Sequence, residues 1–180
     1  MTRGLDAAQV RWQWARFEAL APREAYAALA LRQRVFVVEQ ACVFQDADGH
    51  DFDAWHLLGW TTVRSGGALP AGEWADDGAG ERRTLAACAR VFAPGALYAD
   101  AASIGRVVTA PEARGTGLGR VLMTEALRRT VAAWPEADIW LAAQQRLERF
   151  YESFGFTARD EAPYIEDGIA HVKMVRAARG

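Results

Sequence analysis

The stretch Val107–Met123, VVTAPEARGTGLGRVLM, constrains the fold more than any other part of the chain. It begins with β-branched residues, turns at Pro111, places glycine at 115, 117 and 119, and continues as an apolar run. β-Branched residues favour strands. Glycine at alternate positions carries an entropic cost, which is justified where backbone must stay uncovered. Leu118, Val121, Leu122 and Ala126 then recur at helical spacing and define one apolar face. That helix is expected to end near Trp134, ahead of Pro135. The stretch is therefore a strand, a glycine turn and a helix.

The flanking sequence extends this pattern. QVRWQWARF (9–17) alternates apolar and polar residues as a strand does. Pro22 suits a first helical turn, and a helix is expected to run from it toward Val37–Gln40, where β-branched residues blur its end. HLLGWTTV (56–63), RTLAACARVF (83–92) and SIGRVVT (103–109) are expected strands. DIWLAA (138–143) is a short apolar strand, and QRLERFYESFGF (145–156) a helix closed by Gly155. Asp167-Gly168 signals a hairpin between two further strands. SGGALPAGEWADDGAG (65–80) is expected to be a long loop insertion. The order predicts an α/β (α+β) domain, a mixed sheet with helices packed on it.

At 180 residues the chain suits one domain, 1–180, with a sizeable core. A formal net charge of -2 gives no reason to expect a nucleic-acid partner. No apolar run is long enough to cross a bilayer, and the N-terminus lacks a signal-peptide core. Two cysteines, Cys42 and Cys88, form neither a disulfide framework nor a metal set. A cytoplasmic protein with reduced thiols is expected, without membrane partner or metal.

The glycine turn admits several readings. A P-loop requires Lys-Ser or Lys-Thr after its glycines, and none is present. A dinucleotide fingerprint fits poorly, because Asp138 starts the next strand instead of ending it. The third form is Arg114-Gly115-Thr116-Gly117-Leu118-Gly119, followed by Arg120. Amide N–H groups at a helix start, aided by the helix dipole, bind a pyrophosphate. The same spacing also serves a tight turn that holds no ligand, and the residues alone leave both open.

At these residues the sequence resembles the GNAT superfamily of N-acetyltransferases, whose R/Q-x-x-G-x-G/A segment cradles the pyrophosphate of acetyl-CoA. FYESFGF (150–156) is similar to the family's later Y-x-x-x-G-F segment. LRQRVFVVEQACVFQDADGHD (31–51) and YIEDGIAHVKM (164–174) look like the ElaA-like branch. The resemblance implies the GNAT fold: a mixed, mostly antiparallel sheet with flanking helices and splayed parallel central strands at Ile104–Val108 and Ile139–Ala142. It implies acetyl-CoA as co-substrate, bound at Arg114, Gly115, Thr116, Gly117, Leu118, Gly119 and Arg120. A backbone N–H at Val107 or Val108 would hold the oxyanion. Tyr151 would protonate the leaving thiolate. Glu39 is the first choice of base for the amine, and His171 is the second.

Other clusters carry less. Asp46, Asp48, Asp51 and Asp53 miss the calcium-loop spacing, since Asp51 stands where glycine is required, and a solvated acidic loop is expected. His50, His56 and His171 have no metal-ligand spacing. His56 and Cys88 are expected in structural positions. The seven tryptophans do not interleave with basic residues and are expected in the core or at its rim. The expected activity is N-acetylation of a small-molecule or peptide amine by direct attack, with a homodimer left open. A CoA-binding module without turnover and an acyl-homoserine-lactone synthase-like enzyme are the alternatives.

Overall fold

A computed structural model describes residues 9–62, 74–76, 82–159 and 162–178, with the backbone only at 74–76. The expected insertion at 65–80 lies outside the described residues except for that short strand. In chain order the elements are β1 (Arg11–Arg16), α1 (Pro22–Arg32), β2 (Trp55–Thr62), β3 (Trp74–Asp76), β4 (Arg82–Phe92) and β5 (Ala101–Thr109). They continue with α2 (Leu118–Ala133), β6 (Asp138–Gln144), α3 (Glu148–Glu152), β7 (Thr157–Ala158), β8 (Tyr164–Glu166) and β9 (Ile169–Arg176). The chain divides into two compact units, one of Met1–Arg90 with Arg106–Leu122, the other of Val91–Gly105 with Met123–Gly180.

In the first unit β1 pairs antiparallel with β2, and β3 with β4. β4 neighbours β2, and the Ala110 N–H donates to the Ala86 carbonyl at 2.8 Å, just past the end of β5. Gly59 stands opposite Trp12, and a Cβ there would come within 2.7 Å of the indole. The indole thus occupies the space that a side chain at 59 would take. Pro22 begins α1 because its missing N–H would be unpaired there anyway. Glu24 reaches back to the Ala21 N–H at 2.9 Å, half of a capping box. Its carboxylate also accepts from Gln13 Nε2 at 2.8 Å and from Arg83. One buried carboxylate therefore joins α1, β1 and β4. Leu31, Leu57, Leu58, Trp60 and Leu85 are fully buried in this unit.

The chain does not leave α1 in a regular way. Gln33–Glu39 widens into a π-helical stretch, and the Gln40 N–H donates to the Val35 carbonyl at 2.9 Å, five residues back. The β-branched Val35, Val37 and Val38 crowd a regular helix, consistent with this wider turn.

In the second unit β5 and β6 pair in parallel over only Ala101–Ser103 and Asp138–Trp140, although β5 is nine residues long. β6 pairs antiparallel with β9 along its whole length, and β7 and β8 both pair with β9. Asp167 and Gly168 have φ of 51° and 77°, the two left-handed residues of a type I′ hairpin. The helix expected over 145–156 is shorter. A 3-10 turn at Gln145–Leu147 leads into α3, which stops at Glu152. The stop has a local cause. Phe156 N–H donates to the Tyr151 carbonyl and Gly155 N–H to the Glu152 carbonyl, with Gly155 at φ 85°, a Schellman closure. Ile139, Phe156 and Met174 are buried in this unit. No helix among the described residues is long and apolar enough to cross a membrane.

Candidate functional site

The glycine turn lies in the first unit, between a short turn at Pro111–Ala113 and the start of α2. Gly115 and Gly117 have φ of 75° and 83°, where an L side chain is strained. Thr116 Oγ donates to the Ala113 carbonyl at 2.7 Å and ties the loop to itself. Arg120 and Val121 N–H groups both donate to the Gly117 carbonyl and start the helix. Among the described residues, the N–H groups of Gly115, Thr116, Gly117, Leu118 and Gly119 have no backbone acceptor. An added Cβ would meet nothing within 4 Å at Gly115 and Gly117, and only a Thr109 methyl at 3.9 Å at Gly119. The glycines are therefore not required by crowding within the protein. They leave open space beside unpaired N–H donors at a helix N-terminus, which suits a pyrophosphate.

Arg114, at the head of this turn, is already engaged. Its Nη1 and Nη2 donate to the two carboxylate oxygens of Glu39 at 2.7 and 2.9 Å. A second ion pair, Arg34 with Glu112, runs alongside the first. The hydrogen bond from Arg34, against a smaller burial effect, holds the Glu112 carboxyl below its usual pKa. The π-helical stretch and the loop entering the glycine turn are thus joined twice, with the charge order reversed between the pairs. The expected base, Glu39, stands next to the expected phosphate ligand, with both of its oxygens bonded to that ligand's guanidinium.

β5 leads into the turn. Arg106, within the strand, has φ 49°, an uncommon conformation for a residue with a Cβ. Its Nε donates to Asp46 Oδ1 at 2.8 Å, and the guanidinium lies 5.1 Å from the centre of the Phe44 ring. Val107 and Val108, the expected oxyanion donors, follow immediately, with Val108 buried.

Asp46 belongs to a larger network that corrects the expectation of a solvated acidic loop. Asp46 and Asp51 are buried, and Arg32 donates Nε to Asp46 at 2.8 Å and Nη1 to Asp51 at 2.5 Å. Arg90, also buried, donates to both oxygens of Asp48 at 2.7 Å. Arg32 on α1 and Arg90 on β4 would be costly to bury unpaired, and the acidic loop supplies their counter-charge and that of the half-buried Arg106 on β5. Burial opposes ionisation of Asp48 and Asp51, but Arg90 and Arg32 outweigh it and hold both carboxyls below the usual range. Burial pushes the His56 pKa down, and His56 Nε2–H donates to the Asp51 carbonyl at 3.0 Å, so the ring is neutral and structural, as expected. Sequence reasoning missed these pairings. The available signal was arginine within strands expected to be buried, which demands partners.

The remaining expected site residues lie in the second unit. Tyr151 is buried, with edge-on contacts to Phe150 and Phe156. Burial pushes its phenol up to about 12. It therefore carries its proton at neutral pH. His171 sits on β9, opposite Gln144 on β6 and Tyr164 on β8. Its Nδ1 lies 2.9 Å from the Ile169 carbonyl, which only accepts, so Nδ1 bears the hydrogen. In the neutral ring this leaves the Nε2 lone pair as the basic site. Cys42 and Cys88 are both buried, and neither is in a disulfide. Among the described residues no His, Cys, Asp and Glu group is arranged to hold a metal ion.

Comparison with known proteins agrees with this geometry. A family model described as an acetyltransferase (GNAT) domain matches residues 80–178. Protein ElaA of Escherichia coli K12 is 36% identical over 169 residues, covering 93% of this chain and 96% of that protein. A UPF0039 protein of Synechocystis is 35% identical over 167 residues, covering 93% and 95%. The crystal structure of an acyl-CoA N-acyltransferase from Pseudomonas aeruginosa superposes with a TM-score of 0.77 at 36% identity, covering 93% of this chain and 99% of that one. Escherichia coli ElaA does so with a TM-score of 0.75 at 35% identity, with the same coverage. The AHL synthase LasI, at 13% identity and a TM-score of 0.67, shares the fold alone. The fold is that of the GNAT acyl-CoA N-acyltransferases, and the chain belongs to the GNAT acetyltransferase family.

Proposed function

We propose that the protein transfers an acetyl group from acetyl-CoA to a primary amine by direct attack on the thioester. The observation that carries this reading is the row of unpaired N–H groups at Gly115–Gly119, beside open space at a helix start. Arg114 and Arg120 would add positive charge for the diphosphate. The amine nitrogen bonds to the acetyl carbon as the carbon–sulfur bond breaks. The negative charge on the carbonyl oxygen is held by a backbone N–H of Val107 or Val108. The thiolate takes a proton from Tyr151, whose phenol holds it at neutral pH, and the second proton that the amine nitrogen loses on becoming an amide restores the phenol. The amine starts as an ammonium with a pKa near 10. Its proton leaves to Glu39 or His171, directly or through water.

The same reading takes the chain as one acyltransferase domain, since the family match over 80–178 draws on both units. It includes a cytoplasmic location and a small-molecule or peptide amine as acceptor. It gives no role to a metal, a membrane or nucleic acid.

The test is a panel of primary amines incubated with acetyl-CoA, reading free thiol. Acceptor-dependent thiol release supports the reading. Tight acetyl-CoA binding with no release for any amine indicates a CoA-binding module. Release that requires S-adenosylmethionine indicates an acyl-homoserine-lactone synthase-like enzyme.

A further inference from the structure

Arg106 holds a conformation that its own backbone disfavours. It lies within β5 at φ 49°, where a residue with a Cβ is uncommon and glycine is the usual occupant. Such strain persists only where the surroundings fix it. Here the side chain is fixed at three points. Its Nε donates to Asp46 Oδ1 at 2.8 Å, its Nη2 donates to Asp48 Oδ2 at 3.2 Å, and the guanidinium lies over the Phe44 ring at 5.1 Å. Both carboxylates are themselves held. Arg32 donates Nε to the Asp46 carboxylate and Nη2 to the Asp46 carbonyl, each at 2.8 Å. Arg90 donates to the two oxygens of Asp48 at 2.7 Å each. Two buried arginines thus fix the acids that fix Arg106. A left-handed residue inside a strand bends it and re-aims the groups that follow. The groups that follow here are the N–H donors of Val107 and Val108.

We infer that the acidic loop sets the aim of the oxyanion donor: Asp46, Asp48 and Phe44 hold the Arg106 side chain, and that side chain holds the left-handed turn in β5 that directs the N–H groups of Val107 and Val108. The inference rests on the acetyl-CoA reading above. Arg106 touches neither acetyl-CoA nor the amine in this scheme. It is a positioning residue that acts through the backbone next to it. Aim matters because a hydrogen bond weakens steeply as its angle closes, and a preorganised donor must point at the charge that develops. Glycine would reach the same φ, but for glycine that φ is one choice among several. An arginine tied at three points leaves the strand a single choice.

The test is isotope-edited infrared spectroscopy of bound acetyl-CoA, reading the thioester carbonyl stretch in the wild type, Arg106→Gly, Arg106→Asn and Arg106→Ala. Thermal unfolding checks folding, and calorimetry sets the acetyl-CoA concentration for saturation. A hydrogen bond to the carbonyl polarises it and lowers the stretch below that of free acetyl-CoA. All three variants lack the guanidinium. They differ in how readily residue 106 takes a positive φ: glycine most, asparagine next, alanine least. The lowering should be largest in the wild type, smaller in Arg106→Gly, smaller again in Arg106→Asn, and mostly lost in Arg106→Ala. Acetyl-CoA affinity should change little. If Arg106→Ala does not fold, the glycine and asparagine variants carry the comparison. A full lowering in Arg106→Ala overturns the inference. Equal losses in the folded variants would report the missing charge instead of the backbone, and they overturn it too, as does any other order. If the wild type fails to bind acetyl-CoA, the cofactor reading falls and the positioning role with it. If it binds with no lowering, the oxyanion donor falls as well. A lowering in the wild type that does not follow the predicted order removes the positioning role alone.

Discussion

Asp46 holds Arg106 in place: Oδ1 accepts from the arginine Nε at 2.8 Å, while Oδ2 accepts from Arg32 at 2.8 Å. The carboxylate side chain is fully buried and serves two cations at once. Asp46→Ala leaves Arg32 buried with only part of its counter-charge and should cost about 3–5 kcal/mol, the usual penalty for breaking a buried pair. Urea denaturation measures this. A loss below about 1 kcal/mol, typical of an exposed pair, would show that the network contributes little.

The network also sets the response to acid. Asp48, Asp51 and His56 all have folded-state pKa values below their ordinary ones. A depressed pKa means the unfolded chain binds the proton more readily, so stability is present above the ordinary value and declines as pH falls. The melting temperature should therefore be level above pH 7 and start to fall near 6.5, the ordinary value for His56. A second, steeper fall should begin near 3.8, the ordinary value for the two aspartates. His56→Gln should remove the first decline and keep the second. A melting temperature that rises on acidification below pH 6 would contradict the scheme.

Gly119 provides the cleaner test of the cofactor turn. Gly117 has φ 83°, so any side chain there strains the backbone as well as filling space. Gly119 has no positive φ, and its Cβ would meet only a Thr109 methyl at 3.9 Å. Gly119→Val, larger than the alanine that the G/A position of the segment accepts, should leave a folded protein and still weaken acetyl-CoA binding at least about tenfold, by placing a branched side chain where the phosphate approaches the N–H row. Unchanged affinity by calorimetry would remove the turn as the binding site.

Tyr151→Phe separates chemistry from packing. Among the described residues its ring makes edge-on aromatic contacts, which phenylalanine keeps. The variant should melt near the wild-type temperature and bind acetyl-CoA as well. With an acceptor identified from the amine panel, its turnover should fall about 10²- to 10⁴-fold, the range for one proton-transfer group. Turnover equal to the wild type would make the residue a packing tyrosine.

His171 is tested by its pH signature. With Nδ1–H bonded to the Ile169 carbonyl, the basic nitrogen is Nε2. If it receives the amine's proton, His171→Ala should lower turnover and erase the acidic limb of the pH–rate profile, with acetyl-CoA affinity retained. If Glu39 receives it, Glu39→Gln should do so instead. A limb that survives in both variants excludes both residues as the base.

What was legible in the sequence is what local physics decides. The strand, glycine turn and helix across Val107–Met123 follow from β-branching, glycine density and helical spacing over adjacent residues. Asp167-Gly168 announces its own hairpin, because few dipeptides accept two successive left-handed conformations. Gly155 marks a helix end in the same way, although the helix before it proved shorter than its apolar pattern suggested. The acidic loop misled, because acidic residues near one another in sequence usually face water. Here they face arginines from distant segments: Asp48 meets Arg90 across 42 positions, and Asp46 meets Arg106 across 60. Glu39 and Arg114 are 75 positions apart, and no spacing rule links them. Residue type and period act over one or two turns of chain. Which buried charge meets which depends on how strands and helices pack, so only the tertiary structure decides it.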